Sequence, residues 1–98
     1  MTDQPPGSQL DDQIARALGG RSPWASTPYS TNLRFALRIV EKLLTDKHPY
    51  LVTLHGDTCE VCRPRWSGSH FQEGESLAHA ICLAFLAVLD DPAGRWND

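Results

Sequence analysis

Two segments with apolar residues at helical spacing constrain the fold of this 98-residue chain more than any other feature. In residues 33–44 the apolar side chains cover an arc of roughly 200° when successive residues are placed at 100° steps. Residues 77–89 are apolar almost all round the same projection. The pattern predicts two helices that build the core of one small domain.

Short strands are predicted between these two helices. Residues 50–55 are rich in β-forming side chains, and Gly56-Asp57 is typical of a tight turn. Residues 58–63 continue as a second strand, and residues 70–72 are expected to add a short third one. This part of the chain therefore predicts a small antiparallel sheet of two or three strands.

Polar residues mark the expected starts of three helices. Ser8 is predicted to cap a short first helix, and Ser30 or Thr31 to cap the main helix over residues 32–46. Ser76 is the predicted cap of the last helix. The expected fold class is α+β, with three helices packed on the sheet and the order helix, helix, two or three strands, helix.

Length and charge bound the organisation of the chain. A single α+β domain is expected over residues 8–92, with a disordered leader at 1–7 and a tail at 93–98. Nine basic residues against twelve acidic ones give a net charge of −3, which disfavours general nucleic-acid binding. With no signal peptide and no apolar stretch of roughly 20 residues, a cytoplasmic protein with reduced thiols is expected.

The start of the main helix and the middle of the last helix carry a family resemblance. Residues 28–33 read PYSTNL, residues 39–43 read IVEKL, and residues 80–85 read AICLAF. These segments resemble the phage ABA sandwich domain family, with Asn32 in place of its usual Asp and Leu83 in place of a common basic residue. The resemblance implies a phage or prophage origin and a bacterial host cell, and it brings no catalytic signature with it.

The Cys59-x-x-Cys62 pair is the sequence feature closest to a metal site. Positions three apart on a strand point to opposite faces, so the two thiols are not expected to converge on zinc. Cys82 lies three residues after His79, but no acidic residue is placed to orient the histidine. We therefore expect no cofactor, no metal and no enzymatic activity, and a zinc-binding phage regulator stays as an alternative.

A row of cations at helical spacing, Arg34, Arg38 and Lys42, suggests a second alternative. Such a row can meet phosphate or an acidic partner, but with Glu41 beside it we interpret it as a solvated helix face. Nucleic-acid binding is accordingly considered unlikely and is kept only as an alternative function.

Protein–protein recognition is the leading hypothesis. The two apolar helices carry more apolar surface than one small sheet can cover, unless the first helix and the Trp24 loop cover the excess. The candidate residues for a homodimer or another apolar interface are His79, Leu83, Leu86, Phe35 and Ile39. The candidate residues for binding a basic partner are the acids Asp11, Asp12, Glu73, Glu75, Asp90 and Asp91.

The expected function is that of a non-catalytic phage or prophage accessory protein that binds a host protein. From the family resemblance, the most concrete form is an anti-CRISPR-like inhibitor of a bacterial defence system. A homodimeric structural module is the remaining alternative.

Overall fold

The computed structural model describes residues 5–18, 27–45, 50–62 and 69–90. In chain order these form the elements α1 (Ser8–Ala17), α2 (Leu33–Leu44), β1 (Leu51–His55), β2 (Thr58–Cys62), β3 (Ser69–Glu73) and α3 (Leu77–Asp90). The predicted α+β class and element order are confirmed, and the third strand is present. The Trp24 loop, the predicted helix end at Asp46, most of the predicted leader and the predicted tail lie outside the described residues.

The sheet is an antiparallel meander with the strand order β1-β2-β3. Gly56 adopts a φ of +60° in the turn between β1 and β2, a conformation that glycine reaches without steric cost. Alternate side chains point to one side of the sheet, where Val52, Val61 and His70 lie opposite one another. The central strand is the best covered, and its Cys59 and Val61 are fully buried.

Helix α3 lies at the centre of the domain and is covered over most of its length, and Leu89 near its C-terminal end is 37% exposed. It packs against β2 and β3 on one side, against α2 on another, and against α1 on a third. Its residues 78–85 are all buried, and Leu86 is half-buried. The excess apolar surface of this helix is therefore used inside the domain, and the predicted interface through His79 and Leu83 is wrong because neither side chain is accessible.

Helix α2 begins at Leu33, one residue after the predicted first residue of this helix. The Asn32 side-chain oxygen accepts a hydrogen bond from the Arg34 backbone N–H at 3.0 Å, so Asn32 is the N-cap. Ser30 and Thr31 are not caps. Ser76 does cap α3 as predicted, since its Oγ accepts from the His79 N–H at 3.2 Å.

Ser30 instead joins α1 to the segment that precedes α2. Its backbone N–H and its hydroxyl both donate to Asp11 Oδ1, at 2.7 and 2.6 Å. Its Oγ also accepts from the N–H of Gly7, the N-cap of α1, at 2.9 Å. Gly7 thus takes the capping position that the sequence assigned to Ser8, and one buried hydroxyl fixes the start of the first helix.

Candidate protein-binding surfaces

The thiols of the Cys59-x-x-Cys62 pair do not converge on one side of the sheet. Cys59 is buried on the helix side of β2, and Cys62 lies on the opposite side of the sheet. Burial raises the pKa of Cys59 to about 11. Burial, with smaller contributions from the charges of Asp11 and Cys59, raises the pKa of Cys82 to about 12. Both thiols are therefore protonated at neutral pH, and a protonated buried thiol is a poor nucleophile and a poor metal ligand.

Within the four described ranges, no three His, Cys, Asp or Glu side chains are placed to hold a metal ion. The Nδ1 of His79 accepts a hydrogen bond from the Glu75 N–H at 2.9 Å, so this nitrogen holds the turn between β3 and α3.

The predicted acidic residues separate into four groups. Asp11 is only 5% exposed and is bound to Ser30, so its place in an acidic docking surface is corrected: it is a buried structural residue. Asp12 is exposed on α1 and pairs with Arg16 at 3.0 Å. Asp90 ends α3, but its side chain and the whole of Asp91 lie outside what the structure describes.

Glu73 and Glu75, the fourth group, are exposed and lie together at one end of the sheet. The N–H of the intervening Gly74 donates to the Asp57 carbonyl at 3.0 Å, which brings the end of β3 beside the β1–β2 turn. Asp57 is also exposed, so three acidic residues share this end. A Cβ at Gly74 would lie 2.7 Å from the Ala80 backbone nitrogen, and the close approach therefore requires glycine.

The side of the sheet that faces away from the helices is the first candidate surface. We call it the outer sheet face; its residues are Leu51, Thr53, His55, Thr58, Glu60, Cys62, Ser69, Phe71 and Glu73. Leu51 is 57% exposed and Phe71 is 59% exposed. Glu60 lies opposite Phe71 on the neighbouring strand, and its Oε2 accepts from the Ser69 hydroxyl at 2.5 Å. Large apolar side chains thus share this face with carboxylates.

Sequence reasoning missed the outer sheet face, although a signal for it exists. Leu51 and Phe71 occupy the strand positions that alternate with the inward-facing ones. The strands were predicted, but their register was not, and the register is what puts both residues on the same face.

An apolar line along α2 is the second candidate surface. We call it the α2 seam; it consists of Leu33, Leu37, Val40 and Leu44. Its three leucines are 41–48% exposed, and Val40 lies at the edge of the core. A shallow depression of about 440 Å³ runs beside it. The described residues that line the depression are Arg34, Leu37, Arg38, Val40, Glu41, Leu44 and Thr45.

The residues predicted for an α2 interface, Phe35 and Ile39, do not belong to the α2 seam. Ile39 is fully buried in the core and is not accessible, so its assignment is corrected. Phe35 is half-buried beneath the Arg38 guanidinium, which lies 5.4 Å from the ring centroid. Of the predicted cationic row, Arg34, Arg38 and Lys42 are all exposed, and among the described residues no ion pair joins them to an acid.

None of the three helices in the described part of the chain combines the length and the hydrophobicity that a bilayer crossing requires.

These features define a small α+β domain whose described helices lie on one side of a three-stranded sheet. Its fold is similar to that of a phage protein from Bacillus cereus ATCC 14579, with a TM-score of 0.65 and 23% sequence identity. The similarity covers 89% of this chain and 95% of the other. Neither a family model nor a curated protein matches this chain. The shared fold is thus established, and the sequence resemblance to the phage ABA sandwich family stays a prediction, since the described helices do not enclose the sheet.

Proposed function

We propose that this chain is a non-catalytic phage or prophage accessory protein that binds another protein through its outer sheet face. The observation that carries the proposal is the high exposure of Leu51 and Phe71 on one side of the sheet. Exposed large apolar side chains that share a face are typical of interaction sites. The phage origin is supported by the segments at 28–33 and 80–85 and by the similarity in fold to a phage protein.

The charges around these apolar residues indicate the chemistry of the partner. Glu60 and Glu73 lie on the same face as Phe71, and Asp57 and Glu75 extend the acidic character past the end of the sheet. An aromatic anchor surrounded by carboxylates is complementary to a basic surface that contains an apolar pocket. A channel that binds nucleic acid is basic, so an anti-CRISPR-like inhibitor of a host defence effector is the specific form of the proposal.

A pull-down with matched variants tests this function. The tagged chain is used to capture proteins from the lysate of a bacterium that carries an active defence system. Phe71→Thr removes the anchor but keeps a β-forming residue, and Glu73→Lys reverses one of the acidic charges. Asp12→Lys makes the same change in charge on α1, away from the sheet, and serves as the control.

The expected result has two parts. One defence component is enriched by the wild-type chain and by the Asp12→Lys variant, and its recovery falls at least about tenfold with Phe71→Thr or Glu73→Lys. Expression of the wild-type chain also restores phage plating on the defended strain, and the two surface variants do not. If no specific protein is recovered and defence stays at its full level, the proposed function is wrong.

A further inference from the structure

The α2 seam has the spacing of a coiled-coil contact line. Its residues are separated by four, three and four positions, which is the a/d repeat through which two helices pack side by side. Three of its four side chains are well exposed. The helix is already held by the core through Ala36, Ile39 and Leu43, so a partner would meet a preformed surface and no folding of the helix would accompany binding.

The charges beside the seam are opposite in sign and seven residues apart. Arg34 and Glu41 occupy equivalent positions on the same flank of the seam, two turns from each other, and both are exposed. In the described part of the chain, neither forms an ion pair. The opposite flank is formed by Ala36 and Leu43, which are buried in the domain core.

We infer that the α2 seam binds a second copy of this chain, with the two α2 helices antiparallel about a two-fold axis. A two-fold axis perpendicular to the helices places the same flank of each helix side by side and reverses the chain direction. Arg34 of one copy then lies opposite Glu41 of the other, and the symmetry forms this pair twice. A parallel arrangement would bring the Arg34 flank against the flank with Ala36 and Leu43, which the domain itself covers.

The depression beside α2 supplies the complementary shape. Its apolar lining is formed by Leu37, Val40 and Leu44, and Arg34 and Glu41 are among its polar lining residues. In side-by-side helix packing each apolar side chain enters a hole between four residues of the facing helix. In the antiparallel dimer, Leu37 of the second copy enters this depression.

Charge also distinguishes a second copy from other occupants. A nucleic acid would meet the cations Arg34 and Arg38, but it would also meet the Glu41 carboxylate on the same surface. An acidic helix from another protein would encounter the same repulsion at Glu41. A second copy offers both signs in the matching order, and electrostatic complementarity of this kind fixes the orientation of a pair.

Sedimentation equilibrium of the full chain tests this inference. The wild-type chain is expected to have twice the monomer mass of 10.9 kDa. Leu37→Glu is expected to give the monomer mass at the same concentrations, with an unchanged far-UV CD spectrum. As a control, Leu51→Glu places the same charge on the outer sheet face and leaves the dimer intact, which separates this inference from a dimer through the sheet and from the proposed function.

Charge reversal gives a second, independent readout. Glu41→Arg or Arg34→Glu alone is expected to weaken dimerisation about tenfold, because two symmetric ion pairs become repulsive. The combined reversal, Arg34→Glu with Glu41→Arg, restores the pairs and returns the dissociation constant to within about threefold of the wild-type value. A wild-type chain that stays monomeric, a dimer that survives Leu37→Glu, or a combined reversal no tighter than the single ones would each overturn the inference.

Discussion

Replacement of Asp11 by alanine is the sharpest test of how α1 is held in the fold. The Asp11 carboxylate accepts two hydrogen bonds through one oxygen, from the Ser30 amide at 2.7 Å and from the Ser30 hydroxyl at 2.6 Å. Both residues are buried, and they are 19 positions apart in the chain. The substitution therefore removes the oxygen that accepts both bonds. The buried Ser30 N–H is then left without this acceptor.

The size of the effect follows from the type of bond. A hydrogen bond to a charged group contributes about 1.5–3 kcal/mol, and a buried donor left unsatisfied costs about 1–3 kcal/mol. Because the two bonds share one oxygen, we expect a combined loss of about 3 kcal/mol in the free energy of unfolding. For a domain of this length, that corresponds to a fall in Tm of about 15 °C.

Urea denaturation followed by far-UV CD measures this loss, with Asp12→Ala as the matched control. Asp12 is the adjacent acid, but it is exposed and, among the residues that the structure describes, pairs only with Arg16, so its removal should cost less than about 0.5 kcal/mol. Ser30→Ala should cost about 1.5 kcal/mol, and the double variant should show a coupling of about 1 kcal/mol with Asp11→Ala. If Asp11→Ala costs no more than Asp12→Ala, the buried network does not stabilise the fold and our reasoning is refuted.

Two further features give measurable expectations. Gly74→Ala should lower the free energy of unfolding by about 2 kcal/mol, since the added Cβ meets the Ala80 nitrogen at 2.7 Å; an unchanged urea midpoint would contradict this close approach. At about pH 8 only Cys62 should react rapidly with a thiol reagent, whereas all three thiols should react in denaturant. Because the pKa values of Cys59 and Cys82 are raised from 9.0 to about 11 and about 12, the unfolded chain loses these protons first as the pH rises. Stability should therefore be complete below about pH 9 and fall between about pH 9 and pH 12, and the fall should be smaller in a Cys59→Ala, Cys82→Ala variant.

The sheet was predictable because its signals are local. Gly56 and Asp57 form a tight turn that few residue types favour, and β-forming residues lie on both sides of it. The predicted strand bounds therefore lie within a residue or two of the observed ones. The faces of the strands were not predictable in the same way. In β1 apolar residues occupy both phases, as Leu51 and Val52 show, and only the pairing with β2 decides which one points outward.

The helices show a different limit. An all-round apolar pattern indicates that α3 is covered, but it does not say whether the cover comes from the same chain or from another. The pattern of α3 is compatible with either source of cover, and the structure places His79 and Leu83 under the chain's own elements. Asp11 shows the same limit, since a carboxylate is normally solvated and only a partner 19 residues away explains its burial.

The two proposed surfaces, if both are used, make the dimer a bivalent binder. Helix α2 packs on the inner side of the sheet, so a dimer through α2 leaves both outer sheet faces exposed. Two neighbouring target molecules, each with one basic site, would be held by the two copies of one dimer, and avidity of this kind raises apparent affinity about 10²–10⁴-fold without any new contact. On a surface densely coated with the captured target, Leu37→Glu should therefore dissociate far faster than the wild-type chain, while both bind a sparsely immobilised target with equal affinity. Equal dissociation rates on the dense surface would show that the two surfaces act separately, and a loss of affinity on the sparse surface would show that α2 itself contacts the target.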